Sequence, residues 1–175
     1  VAVIRVGAAT ETEMKYLKDK IEDAVNATKA AIAEGIVPGG GAALVHVSYK
    51  LAQRGSYLGK DEYSIGYKIL VDSLISPFMQ ITRNAGREDG VVLVNSMIKS
   101  PTKGFDARID PSEEPKIVDM YEAGIIDPVK VTRSCVENAA SAASVLLTTE
   151  AAVADAPEEK KSAPGGMPGG MDGMD

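Results

Sequence analysis

Few residues in this sequence have the types and spacing to do chemistry: a glycine triplet at Gly39 to Gly41, the carboxylates Asp23 and Asp127, a single histidine, His46, and a single cysteine, Cys135. The glycines fall in "EGIVPGGGAALVHV", just ahead of an apolar run. With no side chains and free N–H groups before a helix, they serve either as a tight turn or as a backbone that a ligand can approach closely. They match no standard nucleotide fingerprint. "GGGAAL" lacks the third glycine of the dinucleotide pattern, and the stretch from Gly35 to Ala42 lacks the Lys-Ser/Thr pair of a Walker loop.

The other candidates each have a structural reading beside the chemical one. His46 cannot supply a two-histidine metal site, lies in an apolar stretch far in sequence from Cys135, and reads as a core or surface histidine. Cys135, among alanines and serines, reads as a small packed residue rather than a nucleophile. Asp23 lies roughly 160° around its helical wheel from the centre of the apolar stripe, so packing does not call for it. Its structural reading is a solvated ion pair with Lys20, weakened by Asp19. Asp127, followed by Pro128, reads as a helix N-cap.

The elements that must position these residues are mostly helical. "VAVIRV" predicts a short strand, and Thr10 followed by Glu13 has capping-box spacing that opens one amphipathic helix through Glu34, with Met14, Leu17, Ile21, Val25 and Ile32 on one face. "AALVHVSYKLAQR" predicts a second helix. A third starts near Glu62 and is broken at Ser76-Pro77, where a fourth begins with Ser76 as its cap and ends at Gly86. "DGVVLVNSMIKS" fits helix or strand. Residues 101–115, with three prolines and clustered charge, predict a hairpin or loop, followed by a short helix to Gly124. The segment after Asp127 predicts a long helix rich in small residues, and "TTEAAVAD" a final strand.

Composition bounds the rest. A chain of 175 residues with 45% hydrophobic content can fill a core, and a net charge of -6 disfavours nucleic-acid and anionic-membrane partners. A lone cysteine excludes an intrachain disulfide and points to a reducing, intracellular home, expected to be cytoplasmic. No stretch reaches the length of a membrane span. Opening on Val1 inside an apparent strand, the sequence is expected to continue from an N-terminal portion. From Ala156, "APEEKKSAPGGMPGGMDGMD" is too rich in glycine, proline and charge to bury a core and predicts a disordered tail.

Three stretches, "VAVIRVGAATETEMKYLKDKIEDAVNATKAAIAEGIVPGGGAAL", "AGIIDPVKVTRSCVENAASAASVLLTTEAAV" and "PGGMPGGMDGM", closely resemble the C-terminal part of group I chaperonins of the GroEL type, over essentially the whole chain. The resemblance implies a mainly α fold: residues 1–35 as the end of the apical boundary strand plus the long intermediate-domain helix, 36–155 as the C-terminal half of the helical equatorial ATP-binding domain with short peripheral strands, and 156–175 as the tail. It implies a ring-forming, ATP-driven chaperone, a homo-oligomer of double heptameric form that works with a GroES-type co-chaperonin on unfolded proteins; no nucleic-acid or membrane partner is expected from the charge.

It also implies roles for particular residues. Gly40 matches the family's nucleotide-binding glycine and Asp127 the aspartate at the nucleoside end. Asp23 matches the carboxylate that positions or deprotonates the attacking water. Asp106 and Ala107 match an Asn-Ala or Asp-Ala pair on the adenine side, within a loop longer than the family's usual one. The ligand of Mg2+ and the family's "GDGTT" phosphate segment would belong to the N-terminal half, so this portion alone would be inactive. A free-standing nucleotide-dependent enzyme would need a phosphate-gripping basic motif, and none is visible. A non-catalytic helical scaffold would be recognised by indifference to nucleotide.

Because the tail carries neither apolar periodicity nor turn chemistry, deleting residues 156–175 should leave the melting temperature unchanged. A clear fall in a thermal melt of the truncated chain would contradict that.

Overall fold

The structure, a computed structural model, describes residues 2–54, 59–110 and 112–155. Thr10 opens α1 (Glu11–Glu34) as its spacing predicts, its hydroxyl accepting the N–H of Glu13 at 3.2 Å. The apolar stripe of α1 is only partly covered. Leu17 and Ile21 are half-buried, whereas Met14, Val25 and Ile32 are exposed. Gly35 ends the helix at φ 88°, ψ -170°, a conformation open essentially to glycine alone.

The chain then forms β1 (Ile36–Pro38), crosses the glycine triplet, and enters α2 (Ala42–Gln53). Next come α3 (Glu62–Ser73), α4 (Ser76–Asn84), α5 (Gly90–Met97), β2 (Lys103–Phe105), β3 (Ile117–Asp119), β4 (Ile126–Pro128) and α6 (Val129–Leu147). The fold is mainly α, with short strands at its edges. Two antiparallel pairs make up the sheets, β1 with β4 and β2 with β3.

The core is built between residues 42 and 120. Ala42 and Val45 of α2, Phe78 of α4, Leu93 and Met97 of α5, Phe105 of β2 and Met120 form one buried cluster. His46 belongs here as a structural residue: it is 7% exposed, and its Nε2–H donates to the carbonyl of Lys103 at 2.8 Å, tying α2 to β2. Ser48 ties α2 to α3 through the carbonyl of Val71 at 2.8 Å. By contrast, neither α1 nor α6 has a buried residue. They pack on each other and meet the remainder through β1 and β4.

Several local expectations are corrected. Residues 2–8 and 151–155 form no strand, because a strand needs a ladder partner and the described residues offer none there; Val3 and Ile4 are exposed. The ambiguous run at 90–97 is helix α5. Residues 103–119 form the expected hairpin, but the helix foreseen after it is only a turn, where the carboxylate of Asp119 accepts the N–H groups of Tyr121 and Glu122. Helix α4 starts as Pro77 dictates, with Ile75 rather than Ser76 in the cap position. Residues 156–175, assigned above to a disordered tail, lie outside the described residues.

Gly41 shows how tightly the turn is set. Its φ is 78°, and a Cβ there would lie 2.9 Å from the backbone N and Cα of Phe78, which cannot yield. Gly41→Ala should therefore cost about 2 kcal/mol or more. Gly66→Ala, in open space within α3, should instead stabilise by about 0.5–1 kcal/mol. Denaturant melts of the two variants check this; equal midpoints would refute the packing of the turn.

Candidate functional site

Of the residues flagged for chemistry, the glycine triplet and Asp127 meet at the seam between β1 and β4. Val37 pairs with Asp127 and Pro38 with Ile126, and the ladder continues one step as the N–H of Gly39 donates to the carbonyl of Ile125 at 2.9 Å. This close approach explains the first glycine of the triplet: a Cβ on Gly39 would sit 3.1 Å from the backbone of Ile125 and Ile126. Gly40 lies beyond it, half-buried beside Met120 and Ile125.

Asp127 is not the cap of α6. Its backbone is in β4, Pro128 takes the N-cap position without a side-chain cap, and the free N–H of Val129 donates to the carbonyl of Gly35 at 3.1 Å. The Asp127 carboxylate instead lies close enough to the backbone N–H of Gly40 to feel it. Burial pushes its pKa up, and the Gly40 N–H partly opposes that shift. The carboxylate keeps lone pairs for further donors, such as vicinal hydroxyls. Gly40 and Asp127 together thus offer an acceptor and an open backbone face. No lysine or arginine stands between Gly35 and Tyr49 to meet a phosphate beside them.

The other two assignments lie apart from this pair. Asp106, 9% exposed, is engaged by Arg108: both carboxylate oxygens accept from the guanidinium at 2.8 Å, and Oδ1 also accepts the Arg108 backbone N–H. The Arg108 hydrogen bonds hold the Asp106 pKa below the usual carboxylate range. Ala107 is half-buried against the core cluster. Asp23 is exposed on α1, and Lys20 bonds the hydroxyl of Tyr16 rather than Asp23. At a separation of 12 positions and a rise of about 1.5 Å each, Asp23 stands about 18 Å up the helix from Gly35. The structure brings Gly40 and Asp127 together and leaves Asp23 away from them.

Sequence reasoning missed Arg108 as the partner of Asp106 and Met120 as the floor beneath Gly40. It also missed Arg133, which clamps the base of α1: its guanidinium is bidentate to Glu34, at 2.7 and 3.1 Å, and to Glu137, at 2.8 and 2.9 Å. Only Glu137, one turn along α6, carried a signal in the spacing.

Residues 1–157 match the TCP-1/cpn60 chaperonin family. The chain belongs to that family. Among solved structures it is similar to one described as "Crystal structure of group III chaperonin in the open state", at 25% identity and a TM-score of 0.71. The similarity covers 85% of this chain and 30% of that one, so the chain spans about a third of the length of the chaperonin it matches.

In this chaperonin chain the raised pKa of Asp127 has a stability consequence. A carboxyl whose folded pKa lies above its unfolded value is held best when protonated, so its stabilising contribution is present at low pH and is lost as pH rises through the folded pKa. Asp127→Asn keeps an acceptor for the Gly40 N–H without the charge. It should raise the melting temperature at pH 7, with the gain shrinking as pH falls below the carboxylate range. A gain independent of pH would refute the burial argument.

Proposed function

We propose that the chain is the intermediate-plus-equatorial C-terminal portion of a group I chaperonin of the GroEL type, a cytoplasmic ATPase that assembles into a double heptameric ring. In the intact protein it would enclose unfolded proteins with a GroES-type co-chaperonin and promote their folding. Membership of the chaperonin family supports the chaperone role. The glycine-methionine wording of the C-terminal segment supports the group I assignment. Residues 1–35 would serve the intermediate domain and 36–155 the equatorial domain.

The observation that carries the reading is the half-buried Asp127 carboxylate facing the Gly40 N–H across the β1–β4 seam. In this reading Gly40 lets the nucleotide lie against the backbone, and Asp127 accepts from the ribose hydroxyls. Ala107 would supply an apolar contact on the adenine side. Asp106, held by Arg108, would shape that side rather than bond the base directly. Bound Mg2+ would offset phosphate charge, with its ligands outside this chain.

Asp23 is assigned to the water. An exposed carboxylate with no partner among the described residues can orient water or take a proton once α1 brings it to the nucleotide. Phosphoryl transfer depends mainly on positioning and charge stabilisation, so one well-placed carboxylate has large leverage.

In the assembled ring, Asp23→Ala and Asp23→Asn should keep nucleotide binding while single-turnover hydrolysis falls by about 10²-fold or more. If Asp23 is only a solvated surface group, turnover stays near normal. Measuring binding, hydrolysis and ring assembly separately decides it, and normal hydrolysis by a well-assembled Asp23→Ala ring would return the residue to the solvated face.

A further inference from the structure

A cleft among the described residues opens away from the glycine turn. It lies between α1 and α6, with a volume of about 540 Å³. That is within the range of small-molecule sites. Asn26, Lys29 and Ala30 line it from α1, and Lys130, Val131, Ser134, Cys135 and Asn138 from α6. The lining holds two ammonium groups, two carboxamides and a hydroxyl, but no carboxylate, in a chain whose net charge is -6. Neither Lys29 nor Lys130 forms an ion pair within 4 Å among the described residues.

The surrounding charges narrow where an anion would sit. At the base, Arg133 is already shared by Glu34 and Glu137, and Lys130 stands close enough to lower the Glu34 pKa further. Glu22 and Asp23, four and three residues before Asn26, are negative at the far end. Of the residues that line the cleft itself, only Lys29 and Lys130 carry charge. Ala30, Val131 and the lysine stems give an apolar wall beneath the ammonium groups. Lysines bind phosphate as point charges, carboxamide N–H groups add directed donors, and the wall suits an organic body.

We propose that the α1–α6 cleft binds a small organic phosphate, its phosphoryl group between Lys29 and Lys130 and its organic part against Ala30 and Val131. Such a ligand touches both helices, neither of which has a buried residue, so it would fix their angle and with it the position of Asp23. The site is separate from the Gly40–Asp127 pair and its existence does not depend on the nucleotide reading.

Cys135 is a built-in reporter, being the single cysteine of the sequence, exposed, and part of the lining. Its alkylation by a neutral maleimide is followed by mass spectrometry of the Cys135 peptide, with phenyl phosphate as the probe and sodium chloride matching ionic strength. At about ten times the Kd of phenyl phosphate, alkylation should slow by about tenfold. Inorganic phosphate at the same concentration should protect much less.

Protection should vanish in Lys29→Gln/Lys130→Gln, whose exposed positions leave folding intact, and persist in Asp127→Ala. Unchanged alkylation of the wild-type protein would overturn the proposal. So would equal protection by chloride or inorganic phosphate, or protection that survives the double lysine variant. Loss of protection in Asp127→Ala alone would place the phosphate at the glycine turn and overturn the cleft assignment without touching the nucleotide reading.

Discussion

Everything that positions the candidate site depends on three residue pairs, Ile36 with Pro128, Val37 with Asp127 and Pro38 with Ile126. They close a loop of about ninety residues, and closing it costs entropy that two strands of three residues would not offset alone. The ladder is therefore extended at both ends, by Gly39 N–H to Ile125 and by Val129 N–H to Gly35. The closed loop contains the buried cluster, so the seam and the core hold each other. Substituting the glycines would strike the seam first, because Gly39 lies against the Ile125 and Ile126 backbone and Gly41 against that of Phe78.

The packing divides unevenly on either side of the seam. Core residues come from α2, α4, α5 and the β2–β3 hairpin, whose approach is so close that a Cβ on Gly104 would strike Met120 and Ala42. Helices α1 and α6 contribute none. Their mutual geometry rests on Arg133, which reaches from α6 to the last turn of α1 and takes Glu34 in a bidentate grip. A half-exposed ion pair of this kind adds little stability. Two parallel hydrogen bonds nevertheless fix direction better than a single contact. The division puts rigidity around Gly40 and leaves α1 held mainly at one end.

What could be read from the sequence was what local chemistry decides. The start of α1 follows from a threonine and the glutamate three residues later, the break before α4 from Pro77, and the hairpin from proline and charge in residues 101–115. What could not be read depends on distant partners. "VAVIRV" and "TTEAAVAD" have the β-branched content of strands, but a strand exists only where another lies beside it. Asp127 is the sharpest case. Asp-Pro before a helix is the sequence of an N-cap whichever way the carboxylate turns, and the choice is made by Gly40, 87 positions earlier, once β1 has paired with β4. Asp106 differs in kind, since its partner Arg108 is only two residues away, but nothing in that spacing marks an ion pair.

The same long-range closure sets apart the two carboxylates of interest. Asp127 is half-buried with its backbone paired in the seam, so its charge is disfavoured and its place is set by the ladder. Asp23 is solvated, so its charge costs nothing, but it stands about 18 Å up α1 from Gly35 and cannot reach the glycine turn while the helix stays straight. Any arrangement that brings the two together must bend the backbone near Gly35, where the observed φ and ψ already require glycine, and must strain or release the grip of Arg133 on Glu34. Under the proposed assignment of Asp23 to the water, a fixed acceptor at the seam and a carboxylate on a helix that turns at Gly35 would form a site complete in one orientation of α1 and open in the other.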